Sequence, residues 1–328
     1  MRNLLTDVPG VNVGHAENLV LGSGATAIVF DEPAVASIDL RGGGPGTRET
    51  ALLDPAQTVE GIDAITLSGG SAFGLDAASG VQAFLREKGR GFPVRAARVP
   101  IVPAAILFDL LNGGDKNWGR FPPYRELGYA AAAAAGTDFA LGSVGAGTGA
   151  TTVNCKGGIG SASAQTADGH IVGALAAVNA AGSVLIGGGP WFWAAPFERN
   201  AEFGGRGWPS AFPEAAFAPL TKGDPGENTA LVVVATDAIL TKAQAKRLAI
   251  MAQSGLSRAI YPAYTPIDGD VAFAASTGRR PLADPVHGLT KLGAIAANVV
   301  ARAIARGVFA ATALPFPGAL PSWKDRFA

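Results

Sequence analysis

The stretch of sequence that decides the fold is GDPGENTALVVVA, residues 223–235. Residues 223–228 are rich in turn formers, and the residues from Thr229 onward form an apolar run. A short apolar run that follows a turn is typical of a buried strand. The sequence therefore predicts a loop that ends at Asn228, with a threonine hydroxyl at the start of a buried strand.

Thr229 is also a candidate nucleophile. If the peptide bond before it were cut, the residue would carry a free α-amine beside its hydroxyl, and so a general base beside a nucleophile. An α-amine has a pKa of about 7.7–8.0, so a sizeable fraction is unprotonated near neutral pH and no separate histidine is needed. The alternative is structural, because threonine is common at strand starts and turn residues precede most strands.

Length and composition narrow the class of protein. The chain has 328 residues with no evident repeat or boundary, which predicts a single domain over residues 1–328. Lysines plus arginines equal aspartates plus glutamates at 26 each, which argues against partners such as nucleic acid or an anionic membrane. A small neutral or zwitterionic ligand fits this balance better.

Cysteine and histidine usage argues against a metal site or cofactor. Cys155 is the single cysteine and cannot form an intramolecular disulfide, and the three histidines lack the paired spacing of metal ligands. The N-terminus lacks the apolar stretch of a signal peptide, and no run of ~18 apolar residues is free of glycine or charge. We therefore expect a cytoplasmic protein.

Hydrophobic patterning predicts both strands and helices. Strands are predicted at residues 25–30, 34–40, 64–67, 159–164, 171–178 and 230–235. Helices are predicted at residues 74–85, 124–135, 241–255 and 292–307. Thr241 and Gln244 form a capping box, while Gly255 and Gly307 are the predicted helix stops. Without regular βαβ alternation, this mixture predicts an α+β fold in which helices cover stacked sheets.

Two glycine-rich segments suggest other chemistries. Residues 65–74, ITLSGGSAFG, place Ser71 between a strand and a helix, as in a nucleophile elbow, but the second glycine comes one residue late. These glycines instead favour close approach of backbone N–H groups to a pocket, or tight helix packing. Residues 22–27, GSGATA, resemble a dinucleotide fingerprint only superficially, because strand-type residues follow where a helix is required.

Four further polar residues are candidates for a site. Lys156 precedes two glycines and is either a cation facing a site or an ordinary turn lysine. Asn179 ends a predicted strand, where its amide is either an oxyanion donor or plain turn chemistry. Asp268 and Asp270 alternate before an apolar run, so their side chains point the same way, either toward a nucleophile and its ammonium or into a solvated turn or cation site.

Taken together, these segments resemble the family of self-processing aminopeptidases typified by the L-aminopeptidase/D-amidase DmpA, which includes β-peptidyl aminopeptidases and the nylon-oligomer hydrolase NylC. The resemblance runs nearly end to end. It is carried by DVPGV at residues 7–11, VGH at 13–15, RGGGPGTRET at 41–50, LSGGSAFGL at 67–75, NT at 228–229 and VATDA at 234–238.

The resemblance implies a four-layer αββα sandwich like that of N-terminal-nucleophile hydrolases. It also implies autocleavage between Asn228 and Thr229 into residues 1–228 and 229–328, followed by assembly into a homo-oligomer, a tetramer of processed units. Thr229 matches the nucleophile. The four polar candidates match positions around it in the nylon-oligomer hydrolase: Lys156, Asn179, Asp268 and Asp270.

Relatives differ at these positions, and the difference bears on substrate. In the aminopeptidases the nucleophile is a serine after glycine, and the acidic pair is replaced by serine and glutamate. At these positions this chain is therefore more similar to the nylon-oligomer hydrolase than to the aminopeptidases. Its N-terminal motifs are of the general aminopeptidase type, and Phe108 stands where some relatives carry tyrosine. The substrate stays open between a peptide N-terminus, a β-peptide, another amide and a polyamide oligomer.

The expected activity is amide or peptide hydrolysis through an acyl-enzyme on Thr229. In this hypothesis Asp268 and Asp270 position the hydroxyl and amine, Lys156 biases the amine toward its neutral form, and Asn179 binds the oxyanion. Three alternatives remain open: an acyltransferase that uses the same acyl-enzyme, a serine hydrolase that uses Ser71, and a non-catalytic binding or scaffold protein with this fold.

Overall fold

The computed structural model describes residues 1–222 and 228–328, so the turn-rich segment at residues 223–227 lies outside the described residues. The described strands are β1 (Val11–Asn18), β2 (Ser23–Leu40), β3 (Gly46–Arg48), β4 (Gly61–Ser68), β5 (Phe92–Val94), β6 (Ala97–Val99), β7 (Ala104–Ile106), β8 (Gly158–Gln165), β9 (Ile171–Asn179), β10 (Thr229–Ala238) and β11 (Val271–Arg280). The described α-helices are α1 (Ala77–Glu87), α2 (Tyr124–Ala133), α3 (Lys242–Ala252), α4 (Ser254–Ser257), α5 (His287–Ala310) and α6 (Trp323–Phe327).

The long strand β2 joins two halves of one hydrogen-bonded sheet. The strand order is β3-β7-β4-β2-β11-β10-β9-β8, and β1 pairs with β2 off this path. Residues 23–30 of β2 pair with β1 and residues 35–40 pair with β11, while β4 pairs with β2 at residues 25–29 and 34–35. A register irregularity between Val29 and Ala34 separates the two parts. Strands β5 and β6 form a separate two-stranded sheet.

Three apolar cores show that the two half-sheets are stacked between helices. On β10, Val232 and Val234 belong to the core shared with α3 and α5, while Leu231 and Val233 face the core shared with β2 and β4. A third core packs α1 and α2 on the outer face of β2 and β4. After Thr229, residues 230–235 of β10 are all apolar, as expected for a strand that is buried on both faces. The predicted four-layer αββα arrangement is confirmed.

Some predicted boundaries were wrong. The strands expected at residues 25–30 and 34–40 belong to the single strand β2, because the exposed residues between them stay extended as the chain crosses between half-sheets. β1 and β11 were not predicted as strands. The expected strands on β4, β8, β9 and β10 and the capping box of Thr241 are confirmed.

The predicted helix stops were also wrong. Gly307 lies inside α5, which continues to Ala310, and Gly255 lies inside α4. A Cβ at Gly307 would lie 2.8 Å from the Gly160 nitrogen, and one at Gly255 would lie 2.4 Å from the Ala297 carbonyl oxygen. These glycines therefore permit close packing on a strand and on a helix instead of ending helices.

Helix α5 has the length and composition of a membrane-spanning segment, but it is mostly buried inside the protein. It packs along β8 and β9 and contributes Leu292, Val299, Val300 and Ile304 to the core. Its apolar character is that of a core helix. By covering β9 from outside, α5 helps to hold the strand whose last residue, Asn179, pairs with Thr229.

Candidate active site

The bond between Asn228 and Thr229 lies at the buried start of β10. Both residues are buried, with exposed fractions of 0% and 3%. The Thr229 hydroxyl donates a hydrogen bond to the Asn228 carbonyl oxygen, which also accepts from the Gly269 N–H at 2.8 Å. A hydroxyl and a backbone N–H therefore meet at the same carbonyl oxygen.

Gly269 holds this position because any side chain there would collide with the Thr229 hydroxyl. A Cβ on Gly269 would lie 2.7 Å from Thr229 Oγ1 and 2.9 Å from the Gly44 carbonyl oxygen. The glycine motif at residues 41–46 lies against the same segment, since the Gly44 N–H donates to the Asp268 carbonyl at 2.7 Å. This motif therefore supports the backbone that carries the two aspartates.

Asp268 and Asp270 are buried, and backbone amides bind both carboxylates. Asp270 accepts from the N–H groups of Ala230 at 2.7 Å and Tyr264 at 3.1 Å, and Asp268 accepts from the N–H and hydroxyl of Thr265. Burial, with repulsion from Asp268, raises the pKa of Asp270 to about 7. The expected solvated turn is wrong, because both side chains are only 1% exposed.

Asn179 lies opposite Thr229 in the register of β9 and β10. Its Nδ2 donates to the Phe108 carbonyl at 2.9 Å, and its Oδ1 accepts from the Thr151 N–H and the Lys222 ammonium, both at 3.0 Å. A buried amide held by three hydrogen bonds is more typical of a functional site than of a turn at the end of a strand. Its role as the oxyanion donor stays a prediction.

Lys156 is buried with its ammonium enclosed by backbone. The ammonium donates to the carbonyl oxygens of Gly147, Ala150 and Gly157 at 2.7–2.9 Å. Burial lowers the pKa of Lys156 to about 7, repulsion from Lys222 acts in the same direction, and the carboxylate of Asp109 opposes them. The alternative of an ordinary exposed turn lysine is therefore wrong.

A cavity of about 370 Å³ adjoins this cluster. Its lining includes the polar residues Lys156, Lys222 and Thr151 and the apolar residues Leu314 and Phe316. Two of the lining residues, Thr151 and Lys222, also bind Asn179 Oδ1.

Ser71 lacks the neighbours of a serine nucleophile. It begins a 3-10 helix with φ of +52°, and across residues 1–222 and 228–328 its hydroxyl binds no histidine or carboxylate. Beside it, the Gly70 N–H donates to the buried carboxylate of Asp109 at 2.8 Å. These glycines therefore allow the backbone to approach the Asp109 carboxylate closely. Residues 23–27 of the fingerprint-like segment already belong to β2, and no helix follows them.

The sequence analysis missed three residues that the fold brings to this cluster. Lys222 binds Asn179, Gly269 binds the Asn228 carbonyl, and Asp109 lies next to Phe108, whose carbonyl accepts a hydrogen bond from Asn179. Only Gly269 had a local signal, since it separates the two candidate aspartates. Lys222 and Asp109 lie in segments without a distinctive pattern, so only the tertiary structure identifies them.

The comparison with known proteins decides the family. The profile described as Peptidase family S58 matches residues 3–319. The chain belongs to this peptidase family. It is 43% identical to an uncharacterized aminopeptidase of Mycobacterium tuberculosis (strain ATCC 25618 / H37Rv), an alignment that covers 99% of this chain and 98% of that protein. The expected DmpA-like relationship is confirmed, and the chain is a hydrolase of peptide or amide bonds.

More distant relatives agree with this assignment. The chain is 28% identical to a 6-aminohexanoate-oligomer endohydrolase of Kocuria sp. (strain KY2), over 90% of this chain and 82% of that protein. The L-aminopeptidase D-Ala-esterase/amidase of Ochrobactrum anthropi, a variant of the Ntn-hydrolase fold, superposes with a TM-score of 0.70. At 21% identity, with 98% of this chain and 91% of that chain covered, it shows the fold alone.

Proposed function

We propose that this S58 peptidase is made as a precursor that cuts itself between Asn228 and Thr229, and that Thr229 then serves as the N-terminal nucleophile of an amide hydrolase. The observation that carries the proposal is the arrangement at the Asn228 carbonyl. The hydroxyl of Thr229 and the N–H of Gly269 both bind its oxygen. One is the nucleophile, and the other stabilises the oxyanion that develops there.

In self-cleavage, Thr229 Oγ1 forms a bond to the Asn228 carbonyl carbon and the bond from that carbon to the Thr229 nitrogen breaks. The hydroxyl proton ends on this nitrogen, which becomes the free α-amine. Water then hydrolyses the ester, which leaves a carboxylate on Asn228 and restores the threonine hydroxyl. The processed chains are residues 1–228 and 229–328.

In substrate hydrolysis, the α-amine of Thr229 takes the proton of its own hydroxyl as Oγ1 attacks a substrate amide. The proton passes to the leaving amine, and water then hydrolyses the acyl-enzyme. Asp268 and Asp270 hold the backbone around the new N-terminus, and Asn179 supplies a donor for the substrate oxyanion. Lys156, whose pKa lies near neutrality, biases the α-amine of Thr229 toward its neutral form when it carries its positive charge.

The substrate class we propose is a small peptide or amide with an uncharged, partly apolar chain. The apolar residues among those that line the cavity, including Leu314 and Phe316, support this class. Relatives named as an aminopeptidase and as a 6-aminohexanoate-oligomer endohydrolase extend the range to be screened from peptides to polyamide oligomers. Assembly into a tetramer of processed units and a cytoplasmic location stay predictions.

The test is a denaturing gel with intact-mass analysis of the purified protein beside Thr229→Ala. The wild type should give fragments of about 23 and about 10 kDa from the 33.0 kDa chain, and Thr229→Ala should stay intact. Ser71→Ala, the control for the alternative nucleophile, should be cleaved like the wild type. An intact wild-type chain, or cleavage in Thr229→Ala, would refute the proposal.

A further inference from the structure

We infer that Lys222 is a positioning residue for self-cleavage, an inference that rests on the proposed function. Its ammonium donates to the Thr151 carbonyl and hydroxyl, both at 2.6 Å, and to Asn179 Oδ1 at 3.0 Å. Its backbone N–H donates to the Ala181 carbonyl at 3.1 Å. These contacts fix Lys222 to the end of β9 from both its side chain and its backbone.

Lys222 in turn holds the residue that is cut. Its carbonyl oxygen accepts a hydrogen bond from Asn228 Nδ2 at 2.9 Å. The Asn228 side chain is buried, and its other polar atom, Oδ1, has no partner among the described residues. Among the described residues, the hydrogen bond to the Lys222 carbonyl is therefore the contact that orients the Asn228 side-chain amide.

Placement of Asn228 matters because its carbonyl must lie against both Thr229 Oγ1 and the Gly269 N–H. A misplacement of about 1 Å at a reacting group can cost about 100-fold in rate. By anchoring the chain on Thr151 and Asn179, Lys222 restricts where the Asn228 carbonyl lies. The reaction most sensitive to Lys222 is therefore self-cleavage, whose substrate is the Asn228 carbonyl itself.

Asn179 has other contacts that keep it in place without the ammonium. The Thr151 N–H still binds its Oδ1, and the Phe108 carbonyl still accepts from its Nδ2. Loss of the Lys222 side chain should therefore slow self-cleavage by a larger factor than it slows substrate turnover. This split between the two rates separates positioning of the scissile bond from a general effect on the site.

The experiment measures the rate at which freshly purified precursor becomes two chains, for wild type, Lys222→Met and Lys222→Arg. We expect Lys222→Met to be slowed about 10-fold or more, and Lys222→Arg to lie between it and the wild type. Turnover per processed site is then measured after cleavage is complete. Wild-type cleavage by Lys222→Met, or equal loss of both rates, would overturn the inference.

Lys242→Met is the matched control, because the Lys242 ammonium also binds three oxygens. They are the backbone carbonyls of Leu52, Gln57 and Val59. Self-cleavage in this variant should keep the wild-type rate. Equal slowing in Lys222→Met and Lys242→Met would show general destabilisation and overturn the inference. An uncleaved wild type would instead refute the proposed function.

A double-mutant cycle tests whether Lys222 acts through Asn228. Both the Lys222 side chain and the Asn228 amide are proposed to position the Asn228 carbonyl. If so, the double variant Lys222→Met/Asn228→Ala should cleave itself more slowly than wild type by a factor smaller than the product of the two single-variant factors. Effects that multiply would show that the two residues act independently, which would overturn this route of action.

Discussion

Removal of the Lys156 ammonium should change the pH dependence of folding stability in a way that the structure quantifies. Burial lowers the pKa of Lys156 from its ordinary value of 10.5 to about 7. Between these values the unfolded chain holds a proton that the folded chain has lost, so stability rises with pH. This contribution is complete above pH 10.5 and is lost as pH falls toward 7.

The magnitude follows from the difference between the two pKa values. It corresponds to about 5 kcal/mol over the whole range, or about 2.7 kcal/mol between pH 6 and pH 9. Lys156→Met cannot titrate, so its stability lacks this contribution. The variant also loses hydrogen bonds to three carbonyls; the part of that cost that depends on protonation is already contained in the pKa of Lys156, and the remainder cancels from the slope.

The assay is urea unfolding at pH 6, 7, 8 and 9, followed by tryptophan fluorescence. Both proteins carry Thr229→Ala so that the chain stays in one piece, and one protein concentration is used throughout because assembly would shift the midpoint. The free energy of unfolding of the parent minus that of the Lys156→Met variant should rise by about 2.7 kcal/mol from pH 6 to pH 9. A flat difference would show that Lys156 keeps its proton in the fold and would refute the argument from burial.

Two further predictions concern the chemistry. Asn179→Ala should lower turnover per processed site about 100-fold, the typical cost of losing one oxyanion donor, with unchanged far-ultraviolet circular dichroism. Near-normal turnover on an amide substrate would remove Asn179 from the mechanism. Gly269→Ala should slow self-cleavage about 100-fold or more, because its Cβ would lie 2.7 Å from Thr229 Oγ1 and displace it. A time course on a denaturing gel measures this, and cleavage at the wild-type rate would contradict the role of close packing at Gly269.

Much of the site could be predicted because its residues lie at the ends of strongly patterned strands. Thr229 begins β10, Asn179 ends β9, and Asp268 and Asp270 precede β11. The apolar runs mark these strands, and a polar residue at the mouth of a buried strand stands out. Lys156 was found by the family resemblance, since a lysine before two glycines is not distinctive on its own.

The remaining parts of the site depend on contacts between distant segments. Lys222 contacts Asn179, and the amide of Gly269 reaches the Asn228 carbonyl. Hydrogen bonds of this kind depend on where the chain crosses itself, which periodicity does not encode. The helix stops at Gly255 and Gly307 were wrong for the same reason, because glycine ends a helix or allows close packing according to what lies beside it.

The sequence by itself determined the apolar strands, the mixed fold class and the threonine at the start of β10, because side-chain burial imposes a local pattern along the chain. Only the tertiary structure decided that β2 links the two half-sheets and that Lys156 and Asp270 are buried deeply enough to shift their pKa values toward neutrality. It alone brought a hydroxyl and a backbone N–H to the Asn228 carbonyl. Burial and hydrogen bonding between segments far apart in the chain arise only when the layers pack, and the chemistry of this site depends on them.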